Sequence, residues 1–173
     1  MNGNKAAQVS SFALHCLGWQ HLRELADLSE HSSLSSLRSR EHRELLIRTG
    51  VVHGAFIDNM LVGCSCLVVD TPRAYHLPDG KTMVLPVPNF YLCGSFVLPS
   101  VRGCGIGTAL YHRRLTMLPS RAGTTVAIEI LGTGKPLEVD RDASIGLRFH
   151  LAAGFRIVGF SAEPDHGPML ILG

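Results

Sequence analysis

The sequence predicts one α/β domain built on a mixed sheet. Three observations carry this: apolar runs of strand length recur along the chain, the segments between several of them have helical content with glycine ends, and both later helices connect one strand to another. A strand-to-strand crossover through a helix calls for parallel neighbours in the sheet. With 173 residues and 46% hydrophobic content, the chain suits a single core spanning residues 1–173. Two cores would each be undersized.

Ser11 to Leu17 reads as a strand, and Gly18 then leads into Trp19, Leu22, Leu25 and Ala26 at helical spacing. His31 to Arg40 is rich in serine and basic groups, a loop or a weak helix start. Glu41 to Arg48 resumes helical character and stops at Gly50. Val51 to Asp58 and Leu61 to Val69 form a hairpin across Asn59-Met60, with Cys64 and Cys66 on one face of its second strand. Between Asp70 and Asn89, four prolines and the Pro78-Asp79-Gly80 turn mark a long excursion in which Thr82 to Leu85 is the return of a small hairpin. Phe90 to Leu98 is a strand halted at Pro99, and Thr108 to Leu118 is a helix whose apolar stripe Arg113 interrupts. Thr124 to Leu131 is a buried strand. Asp142 caps a helix running to Ala153 that turns Ile145, Phe149 and Ala152 to one face and ends at Gly154. Phe155 to Phe160 and Met169 to Leu172 close the sheet on either side of a Glu163–Gly167 loop.

Lysine and arginine total 16 against 14 acids, a net charge of +2. That balance leaves no broad electrostatic footprint for nucleic acid or an anionic membrane, so a charged ligand must be bound locally. The five cysteines are odd in number, lack a CxxC pair and lie mostly in apolar runs, which suits free thiols in a reducing, cytoplasmic compartment. Met1 to Phe12 carry one lysine and no continuous apolar run, so no signal peptide is expected, and no stretch approaches a membrane span. None of the nine histidines falls in HxH, HxxxH or HExxH spacing, so no metal site is expected.

The run Val97-Leu98-Pro99-Ser100-Val101-Arg102-Gly103-Cys104-Gly105-Ile106-Gly107-Thr108 joins a strand to a helix start. Unpaired N–H groups and the positive dipole end of a helix hold anions, and glycines let an anion come close. Two nucleotide-binding spacings fail here. A dinucleotide fingerprint needs GxGxxG, and its third glycine is absent from both starting points, Gly103 and Gly105. A P-loop needs GxxxxGK before serine or threonine; Gly134-Lys135 has Glu129 in place of the first glycine and Pro136 after the lysine.

What Arg102 to Gly107 does match is Q/R-x-x-G-x-G/A, and in this the chain resembles the acetyltransferases related to Gcn5, the GNAT superfamily. The strand ending Val97-x-Pro99, the later Phe149-His150-x-x-x-Gly154-Phe155 and the element order extend the likeness over nearly the whole chain. The resemblance implies a mixed sheet of about seven strands, splayed between the fourth and fifth and flanked by about four helices. It implies acetyl coenzyme A, or another acyl coenzyme A, in the wedge between Phe90–Leu98 and Thr124–Leu131. The backbone of Phe96, Val97 and Leu98 would then pair with the pantetheine arm. The N–H groups of Arg102, Gly103, Cys104, Gly105, Ile106, Gly107 and Thr108 would hold the pyrophosphate.

Acyl transfer to an amine needs a deprotonated amine, a stabilised oxyanion and a proton for the departing thiolate. The family often places a tyrosine four residues before the glycine of the Gly-Phe pair; here that residue is His150, whose imidazolium can donate. Its helical neighbours Gly146, Ala153 and Gly154 are small. A histidine packed on its helix, its ring N–H bonded to a carbonyl, fits the same pattern. The strand before the turn lacks the glutamate often found there, which leaves Glu129 as the leading carboxylate base, with a water chain or a purely structural ion pair as its rivals. Tyr91, His76, Asp79, Glu163 and Asp165 carry weaker signals, and Cys104 reads as a spacer.

The expected function is transfer of an acetyl group to a primary amine in a ternary complex. The rival readings are an acyl-coenzyme-A-binding module without turnover and a protein-interaction domain whose turn binds nothing. The acceptor, a small molecule or a peptide, is not encoded legibly, and there is room for a homodimer.

Overall fold

A computed structural model describes residues 11–32, 37, 39–70, 74–76, 79–84, 89–118, 126–129, 145–163 and 166–172. The chain forms two compact units, residues 1–66 with 95–117 and residues 67–94 with 118–173.

In the first unit, strand β1 (Ala13–Cys16) runs antiparallel to β2 (Gly50–Ile57), with Leu14 opposite Ala55 and Cys16 opposite His53. Between them lie a 3-10 turn (Trp19–His21), helix α1 (Leu22–Glu30) and helix α2 (Arg40–Thr49). The Gly18 N–H donates to Nδ1 of His21 at 3.0 Å, which closes the entry to α1. Leu25 and Leu28 form the buried stripe of α1, whereas Trp19 is 55% exposed and stays outside it. Ser39 caps α2 by accepting from the His42 N–H at 3.1 Å. Gly50 does not simply end α2: it is extended and begins β2.

The hairpin from β2 to β3 (Met60–Asp70) turns on Asp58-Asn59, one residue earlier than the sequence suggested. Both residues have positive φ, 48° and 64°, as a two-residue turn matched to strand twist requires. Aspartate and asparagine tolerate that region better than Met60 would, which fixes the register. Met60 opens β3 instead, 60% exposed.

Helix α3 (Ile106–Leu115) packs against β2, and Ile106 and Leu110 join Ala55 and Val62 in a core cluster. Truncating Leu110 would leave a cavity costing about 2–5 kcal/mol. The helix starts two residues before the expected Thr108. Arg113 points to solvent, and the buried arginine is Arg114, 4% exposed with its guanidinium 5.5 Å from the Tyr111 ring.

The second unit contains the small hairpin β4 (Ala74–His76) and β5 (Thr82–Val84), the start of β6 (Asn89–Val97), β7 (Val126–Glu129), helix α4 (Ile145–Ala152), β8 (Ile157–Glu163) and β9 (His166–Leu172). Its strand order is β6-β7-β9-β8-β4-β5. The β4–β5 hairpin is the excursion, and it brings the described strands to nine where seven were expected. The parallel element is β6 beside β7, with Phe90 opposite Val126 and Tyr91 opposite Ala127. Past Tyr91 no further β6–β7 pair forms among the described residues, while β7 pairs with β9 as far as Glu129 opposite Met169. The closing strands reach Glu163 and His166, so the intervening loop is shorter than predicted. In α4, Leu147 and His150 are buried, Phe149 is half-buried and Ala152 is exposed. Asp142 and most of Thr124–Leu131 beyond β7 lie outside the described residues.

Candidate active site

The glycine-rich connection is built in three steps. The strand β6 ends where the Leu98 N–H donates to the Val62 carbonyl of β3 at 2.9 Å. Pro99 then starts one 3-10 turn, closed by Val101 N–H to Leu98 C=O at 3.1 Å. Gly103 and Gly105 follow at φ +82° and +81°, and α3 begins at Ile106. Residues with a Cβ rarely adopt that left-handed backbone, so two of the three glycines are demanded by the chain path itself.

The first α3 hydrogen bond runs from Ala109 N–H to Gly105 C=O at 3.0 Å. The amides of Ile106, Gly107 and Thr108 precede it and have no helical carbonyl to bond. No acidic side chain stands in the first turn of α3. A Cβ placed at Gly103 or Gly105 would meet nothing within 4 Å, so the approach to these amides is open. Convergent amides at the positive end of a helix dipole fit a pyrophosphate.

Arg102 is pinned beside this cradle. Its Nε donates to the Val97 carbonyl at 3.0 Å and its guanidinium lies 5.8 Å from the Phe96 ring centroid. Cys104 Sγ lies 3.9 Å from the Arg102 carbonyl and fills the turn. Of the three strand residues expected to meet pantetheine, Leu98 has its N–H taken by β3. The Val97 carbonyl already accepts from Arg102 Nε, so an added strand at Val97 would share that carbonyl or use its N–H.

The His150 region has a different logic. At the end of α4 the Phe155 N–H donates to the His150 carbonyl at 3.1 Å and the Gly154 N–H to the Leu151 carbonyl at 3.0 Å, with Gly154 at φ +92°. These two bonds are a Schellman termination. The side chains that accompany it are His150 and Phe155, whose rings meet edge-on at 5.9 Å between centroids. The spacing His150-x-x-x-Gly154-Phe155 is thus a helix stop with its hydrophobic clasp, and His150 is 3% exposed. Glu129 is the last residue of β7, its backbone opposite Met169. The cradle belongs to the first unit, and Glu129 and His150 to the second.

The weaker candidates separate cleanly. Asp79 is a turn residue: it accepts from the Lys81 N–H at 3.1 Å and pairs with Lys81 Nζ at 2.9 Å, which lowers its pKa. His76 and Tyr91 hold strand positions opposite Phe160 and Ala127, Glu163 pairs with His166, and Asp165 lies outside the described residues. Cys64 and Cys66 are buried free thiols; a hydrogen bond with Cys66 and burial hold the Cys64 thiol far above its usual range, so Cys64 is not a nucleophile at neutral pH.

One residue that sequence reasoning passed over is His53. It is 2% exposed, its Nδ1 has no hydrogen-bond partner among the described residues, and burial with Arg113 and Arg114 nearby lowers its pKa. The sequence carried only a hint of it, a single histidine in the otherwise apolar run Val51–Ile57.

The sequence profile of the Acetyltransferase (GNAT) family matches residues 19–144. No curated protein sequence matches the chain. Among solved structures, the ribosomal-protein-S18-alanine N-acetyltransferase from Escherichia coli is similar with a TM-score of 0.62 at 10% identity, covering 94% of this chain and 92% of that one. A GNAT-family acetyltransferase from Bacillus cereus reaches 0.62 at 14% identity, covering 94% and 96%. An N-acetyltransferase from Staphylococcus aureus reaches 0.59 at 14% identity with the same coverage. At these identities the likeness is one of fold. Among the described residues no helix is long and apolar enough to cross a membrane.

Proposed function

The chain belongs to the Acetyltransferase (GNAT) family, whose acyl donor is acetyl coenzyme A, and from that premise we propose where it binds the donor and how it transfers the acetyl group to an amine. The observation that carries the reading is the open start of α3. Two left-handed glycines, three amides ahead of the first helical bond and an anchored arginine converge where a pyrophosphate would sit. We read residues 1–173 as a single catalytic domain in which β6 and β7 splay beyond Tyr91 and Ala127. The end of their pairing at that point supports the splay. Free thiols and a donor of this kind are in keeping with the cytosol.

The amides of Ile106, Gly107 and Thr108 neutralise the pyrophosphate, with Arg102 adding a full charge beside them. Val97 offers its backbone edge to the pantetheine arm. The donor supplies a thioester carbonyl: the amine nitrogen adds to it, the C–S bond breaks, and the products are an acetamide and a thiol. His150 delivers the proton that the leaving sulfur needs. Glu129, directly or through water, accepts the proton that the amine loses. Nothing in this scheme requires a covalent enzyme intermediate, which agrees with the buried state of Cys64 and Cys66.

The test has two arms. Coenzyme A should raise the melting temperature by mass action, and pantetheine, which lacks the pyrophosphate, should raise it much less. Acetyl coenzyme A incubated with a panel of primary amines should release free thiol with at least one of them. Equal stabilisation by both compounds would place the cofactor elsewhere than on α3.

A further inference from the structure

Gly63 lies inside β3, where a glycine weakens a strand and packs no side chain. It is not one of the glycines of positive φ, so the chain path does not demand it. The neighbouring strand does. A Cβ at Gly63 would stand 2.8 Å from the Phe96 carbonyl oxygen, 3.2 Å from Val97 Cγ2 and 3.4 Å from Val97 Cα. Two of these three atoms are backbone, so no rotamer change relieves the clash, and the end of β6 itself would have to retreat. β3 and β6 are neighbours in the sheet, and the bond from Leu98 N–H to the Val62 carbonyl, 2.9 Å, closes one on the other at this point.

Crowding alone does not give a glycine this position. At Gly54 in β2, a Cβ would meet Leu17 Cδ2 at 2.6 Å, Leu61 Cδ1 at 2.7 Å and Phe56 Cε2 at 3.0 Å, all of them side-chain atoms. Core side chains would repack there and leave the strands in place.

The donor site is indexed from Val97. Its carbonyl accepts from Arg102 Nε, and the Phe96 ring before it faces the same guanidinium. Its Cγ2, the methyl that meets Gly63, lies 3.9 Å from the place of a Cβ on Gly107 in the first turn of α3. Val97 also packs on the cluster of Ala55, Val62, Ile106 and Leu110. A retreat of β6 would therefore carry the arginine with it and disturb the start of α3.

We propose that Gly63 is a positioning residue of the donor site. Lacking a side chain, it lets β6 close on β3, and that closure sets Val97, Arg102 and the α3 amides at the spacing that the pantetheine arm and the pyrophosphate require. The inference rests on reading the start of α3 as the donor cradle, and every residue in it belongs to the first unit.

Gly63→Ala tests it, with Gly54→Ala as the control for a crowded strand glycine. Without donor, the NMR signals of Arg102 Nε–H and of the Ile106, Gly107 and Thr108 amides should move in Gly63→Ala and stay in place in Gly54→Ala. Coenzyme A should bind Gly63→Ala at least about threefold more weakly than wild type, since a site tolerates displacements of only about 0.5 Å. Gly54→Ala should lose stability and keep wild-type affinity. A second measurement needs no variant to fold: if the donor binds only the closed β6, coenzyme A at about ten times its dissociation constant should slow exchange of the wild-type Leu98 amide about tenfold. Coenzyme A binding by wild type with equal affinity in Gly63→Ala overturns the inference and leaves the donor reading standing. So does a Leu98 amide that exchanges as fast with donor as without. A wild-type protein that coenzyme A does not stabilise overturns the donor reading, and Gly63 loses its role with it.

Discussion

At the start of α3, Gly103 and Gly105 sit at φ +82° and +81°; at the end of α4, Gly154 sits at +92°. The backbone device is the same and its use is opposite. After Gly154 both local amides are consumed, one by the Leu151 carbonyl and one, from Phe155, by the His150 carbonyl. After Gly105 the next three amides have no helical acceptor, because the first helical bond waits for Ala109. A glycine of positive φ therefore does not mark a ligand site by itself. What marks it is whether the amides around it are already satisfied.

The largest effect expected from this comparison concerns the side chain clasped at the closed end. If His150 donates the proton to the leaving thiolate, His150→Phe should lower kcat by about a hundredfold, the usual scale for one general acid. The dissociation constant for acetyl coenzyme A should hardly move, because the proton is needed only in the transition state. Phenylalanine preserves the edge-on packing with Phe155, so the melting temperature is the check that the clasp survives. His150→Tyr should recover part of the rate. Wild-type turnover in the phenylalanine variant would reduce His150 to a helix stop.

Next in size is the open end. Gly105→Ala should weaken coenzyme A by at least about tenfold, roughly 1.4 kcal/mol. A left-handed alanine also costs about 1–2 kcal/mol of stability wherever it is placed, so a strain control is needed. Gly80 supplies it: φ is +83°, a Cβ there meets nothing within 4 Å, and it lies in the exposed turn before β5. Gly80→Ala should lose similar stability and bind coenzyme A like wild type. Equal affinity in the two variants would remove the cradle from Gly105.

The third expectation is for Gly154→Ala, which strains the closed end. Stability should fall by about 1 kcal/mol or somewhat more, from the left-handed backbone alone. Coenzyme A affinity should be unchanged, since the amides at that end are already bonded. A binding loss matching that of Gly105→Ala would erase the distinction drawn between the two ends.

The open end was legible in the sequence because it depends on local chemistry: strand, proline, then glycines spaced by two, in a frame that no nucleotide motif could share. Gly103 and Gly105 do take the left-handed backbone that such spacing accommodates. The closed end was legible only as a motif. His150, Gly154 and Phe155 were recognised by spacing, but that the spacing is a Schellman stop, with His150 buried on Phe155, needed the hydrogen bonds. The burial of Leu147 and His150 on α4 needed the packing for the same reason: on a helix of eight residues, two registers fit almost equally well. The hairpin turn slipped by one because Asp58-Asn59 lacks the glycine that usually announces such a turn.

The smallest expected effect lies beneath the far end of α3, where His112, Arg113 and Arg114 make the last turn basic and so oppose the negative pole of the helix. His53 is held there between burial and two guanidiniums, which lower its pKa below the ordinary 6.5. Above that value the side chain is neutral in both folded and unfolded chains, and pH has no leverage through it. As pH falls through 6.5, the unfolded chain takes up a proton that the folded chain refuses. Stability from this source is therefore present at neutral pH and lost on acidification, until the folded pKa is reached. The slope stays below the ~1.4 kcal/mol per pH unit that one full proton would give. His53→Leu removes the titration and keeps an apolar group in the core. Urea midpoints measured from pH 7.5 to 5 should show wild type losing ground to His53→Leu as acid is added, with carboxylate effects common to both and cancelling in the difference. Parallel curves would mean that His53 accepts its proton as readily folded as unfolded, and that the basic end of α3 opens to water as freely as the glycine end does.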